Sequence, residues 1–191
     1  MKYILILISF FSISLSQDGK LSGVVYYNYS MGISEDVKDE NKFNLTRVYL
    51  TYNQNLSDNL SYKFQADMQN TSDAYYMYIK NAKVDWKTDF GTLTLGMQGM
   101  NVFNVAEKTW GHRFLEKSPM DSHKFSSSAD MGIGYSGQFS IINYSLMITN
   151  GSGYKKSEDN KYKKISTQFV FGEKKLVKTD GYNAGLVYTI E

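Results

Sequence analysis

A short stretch of this chain holds His112, Glu116, Asp121 and His123. Imidazole and carboxylate are the nitrogen and oxygen donors that zinc takes. The spacing matches no ligand motif, so we read these four as water-exposed loop residues and expect no metal. Ser126-Ser127-Ser128 beside His123 raises nucleophilic hydrolysis. A triad is defined by geometry, and no G-x-S-x-G is present, so neither catalysis nor a cofactor is expected. Trp86 and Trp110 could stack on sugars. Trp86 ends an alternating segment on its apolar side, which suits an interfacial girdle, and Trp110, between Lys108 and Arg113, suits packing within its own segment. The runs Lys155 to Asp159 and Lys161 to Lys164 could meet lipid phosphates, but solvated loop charge is the simpler reading. What remains is a set of charged and polar side chains at every second position: Arg47, then Lys63, Gln65 and Asp67, then Lys83 and Asp85. Spacing by two puts such groups on one face of a strand. A face of that kind sorts solutes by size and charge rather than transforming them.

The elements that would carry this face follow from the same alternation. From Leu60 to Gln69, Leu60, Tyr62, Phe64, Ala66 and Met68 share one side, and Ser61, Lys63, Gln65, Asp67 and Gln69 share the other. A run of ~10 residues is what a tilted strand needs to cross a bilayer. The pattern predicts nine strands, at 21–31, 43–53, 60–69, 75–87, 92–99, 130–136, 139–150, 162–172 and 182–190. Within 75–87, Tyr76, Tyr78, Ala82, Val84 and Trp86 fall on the apolar side with Lys80 as an interruption, which leaves Met77 and Ile79 on the polar side with Tyr49. Short turns at 56–59, 88–91 and 137–138 alternate with longer links at 32–42, 70–74, 100–129 and 151–161. Segregation of short turns from long loops is the habit of outer-membrane barrels.

Composition agrees. Among 191 residues there are 16 Tyr and 11 Phe, one Pro and no Cys, with a net charge of +2. Aromatics suit strands and interfacial girdles. A mean hydropathy of −0.40 excludes a helical membrane protein but not a barrel, half of whose strand residues are polar. The near-neutral charge lacks the basic footprint of a nucleic-acid binder. Lys2, the apolar Tyr3 to Ile13 and Ser14-Leu15-Ser16 read as an export signal over 1–16, cleaved before Gln17. The expected fold is therefore an all-β, antiparallel transmembrane barrel over 17–191, in contact with outer-membrane lipid. Nine strands are odd for a closed bacterial barrel. The simplest account is the N-terminal portion of a larger barrel, and the alternative is a miscounted strand in an eight-stranded one.

Four pieces resemble the phosphate-selective porin O and P family. They are the signal; Phe43-Asn-Leu-Thr-Arg47-Val-Tyr-Leu with its turn and a return strand ending in Asp67; Phe90-Gly91-Thr92-Leu93-Thr94-Leu95-Gly96; and Glu107-Lys108-Thr109-Trp110-Gly111-His112-Arg113-Phe114-Leu115-Glu116-Lys117. The resemblance implies a 16-stranded trimeric pore in the bacterial outer membrane, with the third external loop, here 100–129, folded inward as a constriction. Lys108, Arg113, Glu116 and Lys117 would be its contacts, and Arg47, Lys63, Asp67, Lys83 and Asp85 would line the lumen. Small hydrophilic solutes or ions would pass, and a homotrimer would form. Phosphate selectivity implies an excess of basic residues, whereas Lys108, Arg113, Lys117 and Lys124 are balanced by Glu107, Glu116, Asp121 and Asp130. A general pore fits these charges. Two other readings stand beside it: a small structural or adhesive barrel with a closed interior, favoured by Tyr49, Met77 and Ile79 on the polar side, and a secreted β-sandwich that binds glycans.

Overall fold

The computed structural model describes residues 19–32, 41–70, 74–113, 115–173 and 181–191. The export signal, and most of the links at 32–42, 70–74 and 173–180, lie outside the described residues. The strands are β1 (Lys20–Met31), β2 (Asn41–Asn55), β3 (Leu60–Asn70), β4 (Tyr75–Thr88), β5 (Gly91–Gly99), β6 (Ala129–Phe139), β7 (Ile142–Thr149), β8 (Lys164–Gly172) and β9 (Asn183–Ile190), with helices α1 (Asn101–Trp110) and α2 (Pro119–Ser122) between β5 and β6. All nine strands form one antiparallel sheet in sequence order, with β1 and β9 at its edges. Among the described residues there is no second sheet against which a sandwich core could pack, and no helix is long and apolar enough to cross a membrane.

Register carries the alternation of β3 across the sheet. Tyr62 lies opposite Val84, and the row continues through Leu95, Ile133, Ile148, Ile165 and Ile190. Ile133 is 54% exposed and Ile148 48%, so this apolar face is bare. One residue along, Asp85, Thr94, Gly134, Met147, Ser166 and Thr189 form the matching row on the polar face. The sheet is thus inverted relative to a water-soluble protein, whose largest exposed apolar patches stay within a few hundred Å². Trp86 stands on the apolar face between Leu60 and Leu93, near the turn end of the sheet.

Two bulges correct the faces expected from strict alternation. In β4, Gln65 pairs with Asn81 and Ala66 with Ile79, which leaves Lys80 extra. An unpaired residue shifts every later side chain to the other face. Tyr76 and Tyr78 therefore share the polar face with Gln69 and Asp67, while Met77 and Ile79 stand on the apolar face beside Met68 and Ala66. In β2, Tyr26 pairs with Arg47 and Tyr27 with Leu45, leaving Thr46 extra; its hydroxyl donates to the Tyr26 carbonyl at 3.0 Å. This keeps Leu45 and Phe43 on the apolar side with Val48 and Leu50.

The turns are closed by side chains. Ser57 Oγ accepts the Leu60 N–H at 3.1 Å, and Thr88 Oγ1 accepts the Gly91 N–H at 3.2 Å. The turn expected at 137–138 lies instead at Ser140 and Ile141, with Ser140 at φ 51°. Gly137 is inside β6, and a Cβ there would strike the Tyr144 ring. The glycine marks a close approach, not a bend.

Candidate functional site

The polar face holds three linked clusters. On β4 and β5, Lys83 Nζ donates to both Asp85 oxygens, at 2.9 and 2.7 Å, and Thr94 Oγ1 donates to Asp85 Oδ1 at 2.6 Å. Gln65 donates to Thr51 Oγ1 and accepts from Asn81, both at 2.8 Å. Lys63 lies directly opposite Lys83 and has no hydrogen-bonding partner among the described residues. Like charges placed opposite one another disfavour the pairing, so these two lysines do not serve strand stability.

The third cluster surrounds Asp67, which is wholly covered. Arg47 Nη1 lies 3.6 Å and Lys80 Nζ 4.0 Å from Asp67 Oδ2. Arg47 and Lys80 also donate to the Tyr49 hydroxyl. The bulge at Lys80 is what lets both Lys80 and Asn81 reach this face. Tyr154, from the link between β7 and β8, donates to Asp67 Oδ2 at 2.8 Å, and Gln69 donates to the same oxygen at 3.1 Å. Burial, and then the Asp67 charge, raise the Tyr154 pKa well above the usual phenol range, so its hydroxyl stays a donor. A charge buried this deeply persists because it is paired and hydrogen-bonded.

The segment 100–129 folds against the same face. Its alternation fails because it contains helices. Val102, Phe103, Val105 and Ala106 make one side of α1 apolar, and Gly111 at φ 66° ends it in the left-handed conformation that glycine tolerates. Phe103 packs with Met100 and Met147, and this small buried cluster lies where α1 meets β7. Asn101 fixes the helix start: Nδ2 donates to the Ser166 carbonyl at 3.1 Å, Oδ1 accepts from Ser166 Oγ at 2.6 Å, and its carbonyl accepts from Gln168 Nε2 at 2.7 Å. The small or apolar polar-face residues of β8 and β9, Ser166, Val170, Gly185 and Val187, are therefore the seat of the loop. A groove of about 740 Å³ runs between them and the α1 side chains Val102, Val105, Ala106 and Trp110.

The charged residues of this loop are partly used within it. Arg113 lies 3.7 Å from Asp121, and Glu116 accepts the Lys117 N–H at 2.7 Å while its carbonyl receives Trp110 Nε1–H at 3.2 Å. Lys108, Glu116 and Lys117 are exposed and Arg113 half-buried. The His112 ring packs edge-on against Trp110 and the His123 ring against Phe125. Among the described residues, no group of three or more His, Cys, Asp or Glu is placed to hold a metal ion. Sequence reasoning missed Asn101, Lys80, Tyr154 and Lys155. The available signals were a glycine after an i, i+3 apolar pattern, a lysine out of phase in a strand, and an aromatic between glycines in a polar link.

The family described as phosphate-selective porin O and P matches residues 22–176, most of the chain. The chain belongs to the phosphate-selective porin O and P family. A comparison with curated proteins gives no match. Membership places this porin among outer-membrane channel proteins of bacteria, which contact lipid and pass small solutes or ions, and within a family of channels rather than enzymes. The nine-stranded antiparallel sheet, polar on one face and apolar on the other, is consistent with a porin β-barrel, though the sheet is not closed. In this porin the polar face carries Arg47, Lys63, Lys80 and Lys83 together with Asp67 and Asp85, so both signs of charge are present along it.

Proposed function

We propose that this porin provides a water-filled passage for small hydrophilic solutes or ions, lined by Arg47, Lys63, Gln65, Asp67, Lys83 and Asp85 and narrowed by the loop 100–129. The observation that carries the reading is the seating of α1 on the polar face through Asn101. An external loop that merely capped the barrel would have no reason to bury a helix start among Ser166 and Gln168. Lys108, Glu116 and Lys117, exposed on this loop, would meet the solute, and Arg113, tied to Asp121, would hold the loop's shape. Selection would then follow from diameter and lining charge. The mixed charges favour a general pore over a strict anion filter, and assembly as a homotrimer would suit the family. For a closed interior, Met77 and Ile79 no longer count because they stand on the apolar face, and Tyr76 and Tyr78 take their place beside Tyr49 on the polar face.

The test is conductance in planar bilayers. The reconstituted protein should give discrete steps, and removing 102–127 should enlarge them about twofold or more, as expected when the narrowest point of a pore is widened. Folded, membrane-inserted protein without conductance would reject the passage. Equal steps with and without the segment would reject the constriction.

A further inference from the structure

The link from β7 to β8 carries a second cluster of charge that the loop 100–129 does not explain. Gly153 and Tyr154 are buried, whereas residues 155–163 are exposed. Asp130 Oδ2 accepts the Gly151 N–H at 2.6 Å and Oδ1 accepts the Gly153 N–H at 3.2 Å, while the Tyr154 N–H reaches the Ala129 carbonyl at 3.0 Å. Gly151 at φ 101° and Gly153 at φ 78° supply the backbone that bends the chain there. From this anchor on β6 it is the Tyr154 side chain that crosses the polar face toward β3. It ends at Asp67, where Tyr154 is latched by its hydroxyl and by an edge-on contact with Tyr78, ring centres 6.2 Å apart. The next residue, Lys155, donates to Gln69 Oε1 at 2.5 Å and lies over the Tyr78 and Tyr154 rings, at 5.8 and 5.6 Å. Its own side chain remains exposed.

We propose that residues 150–155 form a strap on the polar face, latched by Tyr154 on Asp67, which makes a second narrow point in the passage and sets Lys155 as a residue that determines which ions pass. The inference rests on the passage proposed above. Three features support it. The latch covers Asp67 completely, which a solvated loop would not do. Among the described residues the strap and its neighbours engage Asp67 through Oδ2, which takes the Tyr154 and Gln69 hydrogen bonds and lies nearest Arg47 and Lys80. And basic groups predominate at the latch: Arg47 and Lys80 lie 3.6 and 4.0 Å from Asp67, and Lys155, over the Tyr154 ring, adds a third cation. An excess of one sign at a narrow point biases ion passage.

The experiment is single-channel recording of the full-length protein under a potassium chloride gradient. Lys155→Glu should move the reversal potential toward cation preference, whereas Lys161→Glu, on the solvated part of the same link, should leave it in place. Tyr154→Phe, which keeps the ring and loses the bond to Asp67, should give larger and noisier steps. If the wild-type protein conducts but Lys155→Glu matches Lys161→Glu in reversal potential, the strap is overturned and the passage stands. If folded wild-type protein does not conduct at all, the passage fails and the strap with it.

Discussion

Arginine in place of Ile133 should lower the stability of the membrane-inserted protein by about 2–4 kcal/mol, the cost of a cation on the lipid face of a barrel near the bilayer midplane. Ile133 is in the middle of β6, between Leu95 and Ile148, and more than half exposed. Its exposure makes the substitution informative. On a surface that faces water, an exposed isoleucine exchanged for arginine changes stability by about 0.5 kcal/mol or less. On a surface that faces acyl chains, the guanidinium must snorkel or draw water into the bilayer. Urea unfolding of the protein in lipid vesicles, wild type beside Ile133→Arg, separates the two.

The second large effect is expected at Asn101. Asn101→Leu keeps approximate size but removes both side-chain bonds to the fully buried Ser166, whose hydroxyl is left with Thr189 Oγ1 at 3.0 Å. Each hydrogen bond lost costs about 0.5–1.5 kcal/mol, so a loss of about 1–3 kcal/mol is expected for the two. The lost bonds lie between α1 and β8, so the loss should fall on the seating of the loop. Open-channel noise should rise and mean conductance should increase. Unchanged noise and stability would mean that α1 is held by Phe103 and Met100 alone.

Much of the sheet is legible in the sequence because a strand with one wet face and one greasy face must alternate. Lys63, Asp67, Lys83 and Asp85 could be placed on one face from Leu60 to Gln69 and its neighbour alone. The alternation fails where a single residue is inserted. Lys80 looked like a polar fault in an apolar row; it is the bulge that turns Tyr76 and Tyr78 inward and Met77 and Ile79 outward. Gly137 looked like a turn because glycine most often marks one, yet here it clears space for the ring of Tyr144. Segment 100–129 was recognisable as an interruption, and its inward fold was an implication of the resemblance alone. What places it is Asn101 meeting Ser166 and Gln168, contacts between residues more than sixty positions apart that no local pattern encodes. The lysines of the link 151–161 are exposed, as the sequence reads, and what the sequence does not reveal there is the reach of Tyr154. Only the sheet brings Tyr154 to Asp67, eighty-seven positions away.

Site-directed spin labelling tests the two-faced sheet most directly. The chain has no cysteine, so single cysteines can be introduced without background. Labels at Leu95, Ile133 and Ile148 in vesicles should be relaxed by oxygen dissolved in the lipid and shielded from a water-soluble nickel reagent. Labels at Gln65, Lys83 and Thr189 should show the reverse. Labels at Leu95, Ile133 and Ile148 that meet the nickel reagent as freely as those at Lys83 would contradict the account, because the apolar face would then lie in water.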